Sequence, residues 1–113
     1  MGLQEETAAH DARNVVLLAK LVDKGVDLLV TRVVDLQFWA NSEFDATKLA
    51  KALRVENVEV TRTAVPFGTN SRWSVEARIE ASPYALATRD CTEWLVQFAA
   101  AHNAQYDGWG TEV

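Results

Sequence analysis

The stretch from Arg72 to Ser82, RWSVEARIEAS, constrains this chain more than any other. Trp73, Val75, Ala77, Ile79 and Ala81 are apolar, while Ser74, Glu76, Arg78 and Glu80 between them are polar. Strict period-2 alternation places the two sets on opposite faces of a strand. A strand with one dry and one wet face belongs to an antiparallel sheet covered on one side only. If Trp73 is fully buried there, its replacement by Ala costs on the order of 3–5 kcal/mol.

Upstream, the pattern is helical from roughly Leu3 to Lys24, with Val15, Leu18, Leu21 and Val22 on the face expected to be buried. Glu5, Glu6 and Asp11 open it and Lys20 and Lys24 close it, as the helix dipole favours, and Gly25 is a natural C-cap. This helix either packs on the body of the domain or serves as a partner-docking or dimerising arm. The β-branched and aromatic run from Leu28 to Ala40 predicts a strand. Val30, Val34, Leu36 and Phe38 should face the core, with Val33, Asp35, Gln37 and Trp39 opposite. Trp39 is then either covered by the first helix or exposed as a contact.

Asp45 reads as the N-cap of a helix, DATKLAKALR, that buries Ala46, Leu49, Ala50 and Leu53, with Phe44 stapled onto Leu49. Val58 to Thr63 predicts a short edge strand with Val58 and Val60 inward and polar residues between them. The turn formers in Pro66-Phe67-Gly68-Thr69-Asn70 predict a hairpin into the alternating strand, with Phe67 folded on the core or left as a contact. Ser82 and Pro83 begin what should be the longest helix, with Ala87, Cys91, Trp94, Leu95 and Phe98 as its apolar stripe and an end near His102-Asn103. QYDGWGTEV predicts a closing strand.

Without its first helix the order is β-α-β-β-α-β, the split βαβ or ferredoxin-like pattern. The expected fold is therefore α+β: a four-stranded antiparallel sheet with an added N-terminal helix. Right-handed crossovers put both later helices on one face, and the first and third strands lie centrally. At 113 residues the chain suits one domain over 1–113, with the helix at about 3–24 and the body at about 28–113.

The formal net charge of -5 argues against direct RNA or DNA binding, where phosphate neutralisation supplies most of the affinity, and suits a basic protein partner. No apolar run approaches the ~20 residues of a membrane span, and MGLQEETAAH lacks the layout of a secretory signal. A lone cysteine, Cys91, cannot form an internal disulfide and points to a reducing cytoplasm. His10 and His102 have no ligand at metal spacing, and no nucleophile or phosphate-loop motif is present, so no metal, cofactor or enzymatic activity is expected. RNA-binding sheets of this topology display aromatics on their central strands. Here the wet face instead offers Asp35, Glu59, Glu76, Arg78 and Glu80. It is either a solvated surface or a docking site for a cationic segment of another protein, where carboxylates would pair with Arg or Lys.

At Tyr106-Asp107-Gly108-Trp109-Gly110-Thr111 the chain carries a more specific signal. YDGWGT after a long helix resembles the terminal motif of the regulator of ribonuclease E activity B family. The glycines allow a bulge or close backbone approach, and Tyr106 and Trp109 supply large apolar area with polar tips. Those rings either close the edge of the core or, with Asp107, extend the contact surface. The resemblance implies a cytoplasmic bacterial protein without enzymatic activity that restrains a ribonuclease of the E type by protein–protein contact. The better-known form of the family continues past the motif into a strongly acidic tail, which does not follow here. That departure implies a relative carrying the domain alone, with another target open. The runner-up reading is a dimerising or small-ligand-binding ferredoxin-like domain, its sheet faces paired in a homodimer.

Overall fold

A computed structural model describes residues 2–64 and 72–113. The predicted hairpin loop at 66–70, Phe67 included, lies outside the described residues. In chain order the elements are α1 (Leu3–Asp23), β1 (Arg32–Ala40), α2 (Glu43–Val55), β2 (Glu59–Ala64), β3 (Trp73–Ala81), α3 (Pro83–Leu86), α4 (Arg89–Ala101) and β4 (Ala104–Gly110). The strands form one antiparallel sheet in the order β2-β3-β1-β4, as expected of a split β-α-β unit with its first and third strands central.

Alternation in β1 and β3 decides which face is dry. Val34, Leu36, Phe38, Val75 and Ala77 are buried, and they pack beneath Ala46, Leu49 and Leu53 of α2 and Leu95, Val96 and Ala99 of α4. Val58, Val60, Ile79 and Trp109 close the margins of this core half-buried. Trp73 also stands at the margin, at the end of β3 opposite Ala40. The full-burial cost expected for it therefore does not apply.

Local signals set most boundaries. Gly25 takes φ 81°, and the Val26 and Gly25 N–H groups bond back to the Leu21 and Val22 carbonyls, which ends α1 in a Schellman turn. Asn57 does the same for α2 at φ 62°. The N-cap of α2 is Ser42, not Asp45: the Ser42 hydroxyl accepts the Asp45 N–H. Phe44 is not a staple either. It is exposed, with the Lys48 ammonium 5.0 Å from its ring centroid.

Three further expectations fail for identifiable reasons. The run Leu28–Thr31 is turn rather than strand, so Val30 is exposed. The helix begun by Ser82 and Pro83 breaks after Leu86, because the Thr88 hydroxyl takes the Cys91 N–H and starts a second helix. As α4 restarts there, its buried line is Thr92, Leu95, Val96 and Ala99, while Trp94 is exposed and stacked on Phe98. The longest helix is thus α1. Its buried line is Thr7, His10, Asn14 and Leu21, with Leu18 half-buried and Val15 and Val22 outward, so the buried face is turned part of the way round the helix from the predicted one. No helix of the described residues is long and apolar enough to cross a membrane.

Removing Phe38, which is fully buried at the sheet centre, should cost about 3–5 kcal/mol as Phe38→Ala. Trp73→Ala should cost clearly less despite the larger side chain. Urea unfolding of the two variants beside the parent checks the ranking.

Candidate functional site

The open face of the sheet is built by cross-strand register. Asp35 of β1 lies opposite Arg78 of β3, which in turn lies opposite Glu59 of β2. Gln37 lies opposite Glu76, which faces Arg62. The Arg78 guanidinium donates to Asp35 at 3.2 Å, and Arg62 stands 3.9 Å from the Glu76 carboxylate. Gln37 Nε2 donates to the Ser74 hydroxyl at 2.9 Å. The face is therefore a lattice in which Arg78 and Arg62 stand among the carboxylates. Glu80, opposite Val33, and Glu59 stand exposed toward the β2 end of the face. Trp39 is half-buried, and what lies over it is the Arg72 guanidinium, 5.0 Å from the ring centroid. Pairs this exposed contribute about 0–1 kcal/mol each, so the lattice is weak glue.

At the other margin the YDGWGT segment makes a β-bulge. Phe38 pairs with Tyr106 and Gln37 with Gly108, which leaves Asp107 as the extra residue, and Gly108 takes φ 118°. The inserted residue restores the phase, so Tyr106 and Trp109, three apart, both turn to the inner face opposite Phe38 and Leu36. Tyr106 is 3% exposed, its ring lying 5.5 Å from Phe38 and 4.7 Å from His10. It is core, and as a contact residue it must be withdrawn. Its hydroxyl is buried with no hydrogen-bond partner among the described residues, and burial raises its pKa. Just beyond the bulge, Thr111 donates to the Val33 carbonyl at 2.6 Å and accepts from Arg32, which binds the end of the motif to β1.

Two polar side chains of α1 fasten to this edge; sequence reasoning weighs His10 only as a metal ligand, and Asn14 not at all. The Tyr106 carbonyl can only accept, so His10 Nε2–H donates to it at 2.9 Å, and Nδ1 accepts from Arg13 at 2.9 Å. That arrangement requires a neutral imidazole. Burial and then the Arg13 charge hold the His10 pKa below its ordinary value. Trp109 Nε1 donates to Asn14 Oδ1 at 2.9 Å, and Asn14 Nδ2 donates to the Thr92 hydroxyl at 3.2 Å. One relay thus joins β4, α1 and α4. His102 is a helix-end residue, its Nδ1–H bonded to the Phe98 carbonyl at 2.8 Å. Burial raises the Cys91 thiol pKa, which keeps it protonated and unreactive.

Between α1 and the open face lies a groove of about 340 Å³, lined by His10, Arg13, Asn14 and Leu17 on one side and by Asp35, Gln37, Glu76 and Asp107 to Gly110 on the other. The structure thus brings Asp35, Glu76, Asp107 and half-buried Trp109 to one concavity, with Arg78 beside Asp35, and leaves Glu59 and Glu80 on the sheet beyond it. Its carboxylates, Asp35, Glu76 and Asp107, suit a cationic group, while Leu17, Leu36 and Trp109 make its wall largely apolar and Arg13 stands at its α1 side. Among the described residues no group of acidic, histidine and cysteine side chains is placed to hold a metal ion.

Gly108→Ala should destabilise by about 1–3 kcal/mol through its positive φ alone, since an added Cβ meets open space. Gly110→Ala, with ordinary φ and equal room, should stay within about 0.5 kcal/mol; thermal unfolding of both separates the two cases. Because the His10 pKa is depressed on folding, its contribution is whole above the unfolded value of 6.5 and falls away as pH drops below it. Stability of the parent should therefore decline from pH 7.5 to roughly 5.5 more steeply than that of His10→Gln, which keeps a donor to Tyr106 but does not titrate. Paired urea titrations across that range read the difference.

A family model described as regulator of ribonuclease activity B matches residues 11–111, from within α1 to the end of the bulge motif. No curated protein matches the chain.

Proposed function

Since the chain belongs to the regulator of ribonuclease activity B family, we propose that it is a non-catalytic regulator that binds a ribonuclease of the E type by protein–protein contact. The family is one of regulators of ribonuclease activity, which supports a ribonuclease as the partner. We further assign the chain to a bacterial cytoplasm, where its unpaired cysteine stays reduced.

One observation carries the choice of surface. The bulge of the YDGWGT segment places Asp107 at the rim of a groove whose floor continues into the charge lattice of Asp35, Glu76 and Arg78. A basic segment of the nuclease would lie along this face, exchanging the weak internal pairs for pairs with its own Arg or Lys. Glu59 and Glu80 extend the track toward β2, and Trp109 gives the groove an apolar wall. Carboxylates arranged in this way speed encounter and fix orientation more than they add raw affinity.

The test is titration calorimetry of the chain against a purified ribonuclease of the E type, with cleavage of a model RNA followed in parallel. Glu76→Arg combined with Glu80→Arg should weaken binding at least tenfold, about 1.4 kcal/mol, and relieve inhibition to match. Asp107→Arg should do likewise, and the parent's affinity should fall as salt rises. Binding indifferent to both salt and charge reversal would remove this face from the mechanism. No binding at all would remove the nuclease as partner.

A further inference from the structure

One exposed line of α1 is apolar from residue 8 to residue 22, and the groove makes no use of it. Val15, Val16 and Val22 are 69%, 55% and 55% exposed. Ala8, Ala12 and Ala19 are exposed with them. Residues 8, 12, 15, 19 and 22 follow the alternating four-three spacing of a coiled-coil seam, with no charged residue among them. At about 3.6 residues per turn this line lies roughly a third of a turn round the helix from Thr7, His10, Asn14 and Leu21, the line docked on α4 and β4. The arrangement is unusual for a surface helix, which normally buries its apolar stripe. Here hydrogen bonds hold the inner face, and the seam is left outward. A continuous apolar stripe of this kind marks an interaction surface.

We propose that this face is the contact between two copies of the chain, with α1 lying antiparallel on α1 of the second copy. The seam is complementary to itself. In an antiparallel pair, layers of one heptad type meet layers of the other. Setting Ala12 against Val22 of the second copy also sets Val15 against its Ala19, and symmetry repeats both contacts. Every central layer then joins one alanine to one valine, so the layers have equal volume and the small residue leaves room for the larger. Val16 meets its own counterpart beside the seam. No two like charges meet in these layers. The antiparallel sense opposes the helix dipoles and turns the acidic first turn, Glu5 and Glu6, toward the end that carries Lys20 and Lys24. A single helix face falls short of the roughly 800 Å² per partner of a standard interface. The dimer therefore dissociates on dilution. It leaves the open sheet face free, so it stands or falls apart from the ribonuclease reading.

Sedimentation or light scattering over a wide concentration range should show the mass rise from that of one chain, 12.5 kDa, toward twice that value. Val15→Glu and Val22→Lys, both at exposed positions, should each return it to one chain with the melting temperature kept. In a Cys91→Ser background, oxidising a mixture of Val15→Cys and Ala19→Cys chains should give a covalent dimer of one of each. Either alone should link poorly. A single-chain mass at every concentration overturns the proposal, as does a dimer that survives both charge variants. Val15→Cys linking mainly to itself would mean a parallel pair and overturn it too. Loss of nuclease binding in Val15→Glu, with the parent monomeric throughout, would give the seam to the nuclease instead.

Discussion

A β-bulge in the last strand is the constraint from which the edge of the molecule follows. Without Asp107 as the extra residue, Tyr106 and Trp109 would fall on opposite faces of the sheet, since side chains alternate along a regular strand. With it, both rings turn inward, and the Tyr106 carbonyl meets His10. Trp109 is brought within reach of Asn14. The carboxylate of the inserted residue goes to the groove that α1 and the sheet enclose. Gly108 makes this possible at a backbone angle that other residues rarely take.

Because the bulge supplies polar anchors, α1 docks by hydrogen bonds and needs little of its apolar surface. A buried neutral imidazole, an Asn–Thr–Trp relay and the exposed Asp11–Arg89 pair at 3.5 Å hold it to the domain. Buried bonds of this kind carry more weight than their number suggests, since each broken partner would leave a desolvated group behind. The same economy frees a valine- and alanine-lined face that the fold itself does not consume.

The open sheet face shows the opposite balance. Its charges are paired across strands but remain well exposed, so their pairing adds little to stability. A surface held this loosely can trade its internal pairs for external ones at small cost. The adjoining groove gives such an exchange a defined place and depth.

Much of the fold was legible along the chain. Alternation in β3, the alanine- and leucine-lined stripe of α2 and the C-terminal glycine of α1 each act within a few residues, where sequence spacing is spatial spacing. The YDGWGT segment was legible as a motif that allowed a bulge. What could not be read was how far round α1 its buried face is turned. Periodicity assigns burial to apolar residues, yet here Thr7 goes inside with its hydroxyl bonded to the Leu3 carbonyl one turn back, and His10 and Asn14 go inside because partners far along the chain satisfy them. The break at Thr88 was missed because a hydroxyl cap competed with an otherwise continuous apolar stripe. Likewise, Arg78 and Arg62 stood in view in the sequence, but only strand register set them against Asp35 and Glu76. The sequence by itself determined the elements, the two-sided character of β3 and the dry residues of the central strands, because those depend on local period and on apolar transfer from water. The tertiary structure decided which face of α1 is inside, the groove beside the bulge and the pairing of the charged face, because each joins groups from different elements, as far as 96 positions apart.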